Sequence, residues 1–313
     1  MEPGAKIGLP KTPDDPREFR ERILERVVLV CPRNDAESQT ITHLAERLGM
    51  TVITSDQKHG ATLDKEPDLS NKLSATQKQE VWIIEIPNVE IEEALRVSGL
   101  ELEVIDHHRY GSLDRTQASN GRALPSSLEQ FMARTHITDT ELMAWGYDPK
   151  TVRGIGIMDH GFVQGLRNHQ YDQADIARVI EFRQQLAAEI DPQYPERVIA
   201  AEQDWAQRRE QDGFMVVEST QPYDARTFIS EAAMKAGLDT KPVVISVNSG
   251  AKIYVQNINP AGVPALIEHY KGLVAEPRLA FGFGSNCMGV DNTGNPTPVL
   301  MAAVLEQAKS FIG

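Results

Sequence analysis

The sequence predicts an α/β protein of two domains, the first built on a doubly wound parallel sheet. Three observations carry this reading. Four short β-branched apolar runs, VVLVC (27–31), TVITS (51–55), VWIIEI (81–86) and LEVID (102–106), are separated by longer stretches, several at helical spacing. A second series of strand-like and helical stretches begins after a charged region near residue 211. At 313 residues the chain exceeds one small core and suits two.

Taken in order, residues 1–26 read as an arm rich in Pro, Gly and charge that ends in a short charged helix. VVLVC follows as a buried strand. After the turn PRNDAES, Ile41, Leu44 and Leu48 share one helical face, and Gly49 supplies a C-terminal stop. The polar stretch 57–78 reads as a long loop with at most a short helix. VWIIEI is closed by Pro87, and LEVID runs straight into His107 and His108. Helices are expected over 126–136 and 138–145, and VRGIGIMDHGF (152–162) is apolar around a Gly-x-Gly. The first domain is expected over 27–174, one or two linker helices over 175–211, and a smaller α/β domain over 212–313, with a cleft between the domains. In that last domain GFMVVES, PVVISVNSG and AKIYVQNI read as strands, and PAGVPALIEHYKGL and PVLMAAVLEQAKSF as helices.

The formal net charge is −13. An acidic surface repels long polyanions, whose binding rests on phosphate neutralisation, so a long duplex is not an expected partner. A small phosphorylated or nucleotide ligand in a local pocket remains compatible. Two cysteines far apart, Cys31 and Cys287, make no disulfide framework and fit a reducing, cytoplasmic setting. The N-terminus lacks an apolar signal core and no apolar run is long enough for a bilayer, so no membrane partner is expected. The sequence is compatible with a homodimer.

In open parallel sheets, ligands sit off the carboxyl ends of the strands. Cys31, Glu85 and the triplet Asp106-His107-His108 all fall at such ends. Two imidazoles beside a carboxylate are costly to bury unless bonded or coordinated; alternatively they cap a loop. The surrounding ELEVIDHHRYGSL resembles the defining motif of the DHH phosphoesterase superfamily, which includes RecJ exonucleases, oligoribonucleases, dinucleotide phosphodiesterases, exopolyphosphatases and manganese pyrophosphatases. Further motifs occur in the family's order. His-x-x-x-Asp-x-Asp is matched by Cys31-Pro-Arg-Asn-Asp35-Ala-Glu37, with Cys for His and Glu for the second Asp. The strand-end Asp is matched by Glu85, 21 residues before Asp106. The Asp-Thr-Gly motif is matched by Asp159-His160-Gly161, and SSLEQF resembles the helix start that follows the triplet. The resemblance is good over 27–165 and looser beyond.

The resemblance implies a two-metal phosphoesterase site. One ion would be held by Glu37, Glu85, His107 and Asp159, with Glu85 bridging, and oxygen-rich ligation with one imidazole suits Mn2+ or Mg2+. A second ion would be held by Cys31, Asp35 and Glu85; alternatively Cys31 is a small buried apolar residue and one ion remains. His108 and Arg109 would face the phosphate, and Asp106 would orient its neighbouring imidazole. His160 is a candidate substrate contact. The family's phosphate-gripping glycine loop would correspond to Gly282, Gly284, Ser285 and Asn286, with Arg278 upstream, though a plain glycine turn fits the same residues. Arg226 and Lys252 could add phosphate contacts, and Phe281 and Phe283 either stack on a base or pack.

The expected activity is metal-dependent hydrolysis of a short oligonucleotide, a cyclic or linear dinucleotide, or a nucleotide phosphate. The alternative is a catalytically silent relative that binds a nucleotide or a protein partner. A pyrophosphatase or exopolyphosphatase ranks last, because the C-terminal domain lacks a Lys- and Arg-rich motif for so dense a charge.

Overall fold

The apolar runs of the first strands, read on a computed structural model that describes residues 16–58, 60–110, 112–271, 280–282, 287–293 and 297–312, place apolar side chains on both faces of one sheet. The chain divides into two compact units, Met1–His160 and Gly161–Gly313.

The first unit begins with α1 (Pro16–Arg26), β1 (Val27–Pro32), α2 (Ala36–Leu48), β2 (Thr51–Ser55), α3 (Leu69–Thr76), β3 (Glu80–Ile84), α4 (Val89–Val97) and β4 (Glu101–Ile105). A small hairpin, β5 (Arg109–Tyr110) and β6 (Leu113–Asp114), precedes α5 (Ser127–Thr135), α6 (Asp139–Ala144) and α7 (Pro149–Asn168), the last of which continues past His160 into the second unit. The four main strands are parallel in the order β2-β1-β3-β4. Val28, Val30, Val81 and Ile83 pack on one face with Leu69, Leu73 and Leu95. On the other, Trp82 meets Phe131 of α5 edge to face at 6.4 Å. All six residues of β1 are buried, as expected of a central parallel strand.

Strand order reverses between β1 and β3, since the chain runs from β1 outward to β2 and then returns to β3. This is the switch point at which doubly wound sheets open a crevice. Two local devices shape it. Asp35 caps α2 by accepting from Ser38 N at 2.8 Å, in a reciprocal capping box with the Ser38 hydroxyl. Glu85, directly after β3, takes a left-handed backbone (φ 49°) while its N–H still donates to Ile105 O at 3.2 Å.

The stretch 57–78 contains more structure than its polarity suggests. Helix α3 buries Leu69 and Leu73, one turn apart, between left-handed Asp68 and Gln77. Helix α7 is one run interrupted at Phe162, whose backbone (φ 50°, ψ −159°) is not helical.

The second unit contains α8 (Gln173–Ile190), α9 (Tyr194–Ala206), β7 (Arg209–Gln211), β8 (Phe214–Glu218), α10 (Arg226–Lys235), β9 (Val243–Val247), β10 (Lys252–Gln256), α11 (Gly262–Lys271), β11 (Ala280–Gly282), β12 (Met288–Asp291) and α12 (Met301–Ala308). Its mixed sheet has the order β11-β12-β10-β9-β8-β7, with only β8 and β9 parallel. One face packs Phe214, Val244 and Ile253 with Leu266, Tyr270 and Val304. The other packs Val217, Val243 and Ile245 with Trp205 and Ile229. Helices thus cover both sides, a three-layer α/β unit. Among the described residues no helix is long and apolar enough to cross a membrane.

Candidate metal centre

The carboxyl ends of β1, β3 and β4 and the last helical turn of α7 before Phe162 bring Glu37, Glu85, His107 and Asp159 to one point. His107 is buried, and its Nε2 lies 3.3 Å from Glu37 Oε2, 3.3 Å from Glu85 Oε1 and 3.2 Å from Asp159 Oδ2. His108 sits beside it, with Nδ1 3.6 Å from Glu85 Oε1 and Nε2 3.9 Å from Asp159 Oδ2. Atoms of Glu85, His107, His108 and Asp159 all lie within 4.8 Å of one another.

Glu37 and His108 are held from behind. Glu37 Oε1 accepts from Leu128 N at 2.8 Å, at the positive N-terminus of α5. Asp106 Oδ1 accepts from His108 N at 3.0 Å, lies 3.2 Å from His108 Nδ1, and accepts from the Tyr110 hydroxyl at 3.3 Å. This leaves His108 Nε2 as the open end of a half-exposed ring. Gln130 donates to Asp106 O at 2.9 Å, and Arg115 stands behind Asp106, its Nε 3.9 Å from Oδ2. Gly156 of α7 lets that helix approach closely: a Cβ there would lie 2.2 Å from Ser126 Oγ and 3.2 Å from Glu37 Oε1. Tyr110, Arg115 and Gly156 were not singled out from sequence. The first two lie within the DHHRYGSLDR stretch, and Gly156 is the second glycine of Gly-x-Gly.

The residues fit a divalent cation. Glu37 Oε2, Glu85 Oε1 and His107 Nε2 are fully buried, face one another, and make no hydrogen bond; such atoms are costly unless something else satisfies them. Adjacent ligand atoms around an octahedral ion at about 2.1 Å lie roughly 3 Å apart, close to the observed separations. Asp35, Glu37, Glu85, Asp106 and Asp159 together outnumber the three imidazoles of His107, His108 and His160, so the site leans to negative charge.

Protonation reflects that excess. Burial works against a charged His107, but Asp159, Glu37 and Glu85 outweigh it and raise the imidazole to about 12. Burial, reinforced by Glu85 and Asp159, pushes the Glu37 carboxyl well up against the pull of His107. Burial likewise raises Asp35 to about 6, with Glu85 and Asp159 adding to it. Asp106 raises His108. Burial and the charge on His107 lower His160. A native state with raised pKa values binds more protons than the unfolded chain, so stability falls as pH rises. For Asp35 the loss runs from about 3.8 to about 6, and for His107 from about 6.5 towards about 12. The metal-free protein is therefore expected to melt at lower temperature at pH 9 than at pH 6, a difference that saturating Mn2+ removes. Calorimetry at both pH values with chelator and with Mn2+ checks this.

The other expected site residues fall as follows. Cys31 is fully buried, and its thiol donates to Pro32 O or Ser38 O, each at 3.5 Å. Burial pushes the thiol pKa up, away from the thiolate a metal needs. Native protein is expected to resist iodoacetamide at Cys31 and to be labelled there after denaturation, as peptide mass spectrometry would show. Asp35 is committed by one oxygen to the α2 cap and is in electrostatic reach of Glu85 and Asp159. Arg109 turns away: its guanidinium pairs with Asp114 across the β5–β6 hairpin, Nε 3.0 Å from Oδ2. His160 Nδ1 lies 3.3 Å from His107 Nδ1. In the second unit, Gly282 ends β11; Arg278, Gly284, Ser285, Asn286 and Phe283 lie outside the described residues. Lys252 Nζ is 3.5 Å from Asp224, and the Arg226 guanidinium sits 5.4 Å from the Tyr254 ring centre.

The left-handed backbone of Glu85 costs about 1 kcal/mol for an L-residue and nothing for glycine. Glu85→Gly is expected to raise the melting temperature of the metal-free protein and to remove Mn2+ binding, read by calorimetry and titration of the same sample.

No family model matches the sequence, and no curated protein matches it. Solved structures do. The exonuclease RecJ bound to manganese is similar over 94% of this chain and 91% of its own, at 13% identity and TM-score 0.43. An exopolyphosphatase-related protein from Bacteroides fragilis is similar over 94% of both chains, at 11% identity and TM-score 0.41. The pGpG-specific phosphodiesterase PggH from Vibrio cholerae is similar over 91% of this chain and 100% of its own, at 10% identity and TM-score 0.45. The residues whose motifs resemble those of the DHH phosphoesterase superfamily, Glu37, Glu85, His107, His108 and Asp159, come together around His107.

Proposed function

We propose that the chain is a divalent-metal-dependent phosphoesterase acting on a small phosphoester: a short oligonucleotide, a linear or cyclic dinucleotide, or a nucleotide phosphate. The observation that supports it is the buried His107 Nε2 faced at 3.2–3.3 Å by three carboxylate oxygens at the switch point of a parallel sheet. Glu37, Glu85, His107 and Asp159 would hold Mn2+ or Mg2+, with His108 in reach. A second ion would have Asp35 and Glu85 but no thiolate, because the Cys31 proton is kept by burial; one ion is the better-supported count. When bound, such an ion supplies Lewis acidity towards a phosphoryl oxygen and activation of water.

The chain's own residues supply the rest. Asp106 fixes the His108 ring through Nδ1 and favours its protonated form, so that Nε2–H would be presented as a charged donor for a phosphoryl oxygen. The carboxylates that surround His107 repel any anion not accompanied by a cation, which restricts productive binding to the metal-loaded protein. The net charge of −13 disfavours long strands and favours a small substrate in the cytoplasm. Residues 27–174 carry the metal chemistry in this reading, and 212–313 the substrate recognition.

A second reading, a silent relative that binds a nucleotide without turnover, draws on the unavailable Cys31 thiol and on glutamate at positions 37 and 85. Elemental analysis of the purified protein decides between them when paired with phosphate release from a dinucleotide and hydrolysis of bis-para-nitrophenyl phosphate, each with Mn2+ and with chelator. Metal-dependent turnover supports the phosphoesterase; bound metal and nucleotide affinity without turnover supports the silent relative; neither metal nor turnover in folded protein refutes the metal centre.

A further inference from the structure

Asp159 and His160 are consecutive residues at the end of the regular part of α7, and they reach the two nitrogens of one ring. Asp159 Oδ2 lies 3.2 Å from His107 Nε2, and His160 Nδ1 lies 3.3 Å from His107 Nδ1. The two rings have centroids 5.4 Å apart and planes inclined by 49°. Neighbouring helical residues point about 100° apart, which lets one turn of helix address both sides of a side chain inserted beside it.

The chemistry of ligation then assigns a role to His160. An imidazole that gives its Nε2 lone pair to a cation carries its proton on Nδ1. That N–H is buried and needs an acceptor. Among the described residues the hydrogen-bonding partner at His107 Nδ1 is His160 Nδ1. We propose that His160 is a positioning residue of the metal centre: with its own proton on Nε2, it accepts from His107 Nδ1–H and fixes the tautomer and tilt that ligation through Nε2 requires. This rests on the metal-centre reading above. It also gives a reason for histidine where the resemblance leads one to expect threonine in Asp159-His160-Gly161: the longer imidazole places an acceptor against the far nitrogen of the ligand ring. Partners of this kind commonly contribute about 10- to 100-fold to metal affinity.

The test titrates the full-length protein with Mn2+ alone, by calorimetry, in wild type, His160→Ala and His160→Asn. Asparagine places its Oδ1 near the position of histidine Nδ1, so it restores the acceptor without the ring. The expected result is a loss of about 10- to 100-fold in Mn2+ affinity for His160→Ala and recovery to within about threefold for His160→Asn. Equal affinity of wild type and His160→Ala overturns the proposal, as does an asparagine variant no better than alanine. A wild type that binds no Mn2+ refutes the metal centre itself, and the proposal with it. Long-range 1H–15N spectra of the Mg2+-loaded wild type give a second reading independent of variant folding: His160 protonated on Nε2 and His107 on Nδ1 support the role, and His160 protonated on Nδ1 overturns it.

Discussion

His107→Ala is expected to abolish Mn2+ uptake and to lower metal-dependent phosphate release by at least about 10²-fold, because one side chain supplies the nitrogen around which the three carboxylates are arranged. Displacing a reacting group by about 1 Å already costs on that scale, and here the proposed ligand is lost outright. The fold should survive. His107 follows β4 and packs against polar neighbours, so its removal opens no apolar cavity; the buried carboxylates take up protons in its absence, as Glu37 already tends to do. Far-UV circular dichroism should match wild type at pH 6, while calorimetry shows no Mn2+ binding. Retained uptake, with wild-type turnover, would remove His107 from the ligand set.

Gly156→Ala is expected to be the most disruptive small change away from the ligands. The added Cβ would stand 2.2 Å from Ser126 Oγ, 3.1 Å from Ser126 Cβ and 3.2 Å from Glu37 Oε1. Ser126 caps α5 by accepting from Glu129 N at 3.2 Å, and the same first turn of that helix holds Glu37 through Leu128 N. Relief of the clash must therefore shift either the cap or the ligand. Overpacking of this kind costs roughly 1–3 kcal/mol, and a Glu37 displaced by a few tenths of an ångström weakens the ion as well. Both effects should be partly recovered in Gly156→Ala/Ser126→Gly, which deletes the clashing hydroxyl at a cap position where glycine costs only a few tenths of a kcal/mol. Gly161→Ala is the control: its Cβ would meet nothing within 4 Å, and it is expected to stay within about 0.5 kcal/mol of wild type in denaturant titrations.

These two cases show where the sequence was informative. The triplet at the end of LEVID, Glu85 at the end of VWIIEI and Asp35 and Glu37 after VVLVC are legible because parallel strands announce themselves as apolar runs, and the chemistry of such sheets lies at the residues just beyond them. Asp159 is legible through its motif. What the sequence does not encode locally is which atom faces which. Whether Cys31 points at an ion or into backbone carbonyls depends on the packing of α2 on β1. Whether Arg109 reaches outward to a phosphate or folds onto Asp114 depends on a two-residue hairpin with no apolar pattern. Gly156 is one glycine in an apolar stretch until α5 is known to lie against it. Helix α3 is quiet for a related reason: only Leu69 and Leu73 mark its buried face.

The Glu37, Glu85, His107 and Asp159 quartet has a consequence for how long the protein lasts. The four side chains come from segments far apart along the chain, and in the absence of a cation the mutual repulsion of the three carboxylates, which His107 only partly offsets, favours the opened state. A ligand that binds only the native form contributes about 2.7 kcal/mol when present at 100 times its dissociation constant. Resistance to proteolysis would then follow the concentration of the free ion, so that supply of the metal sets not only how fast each molecule works but how many molecules persist.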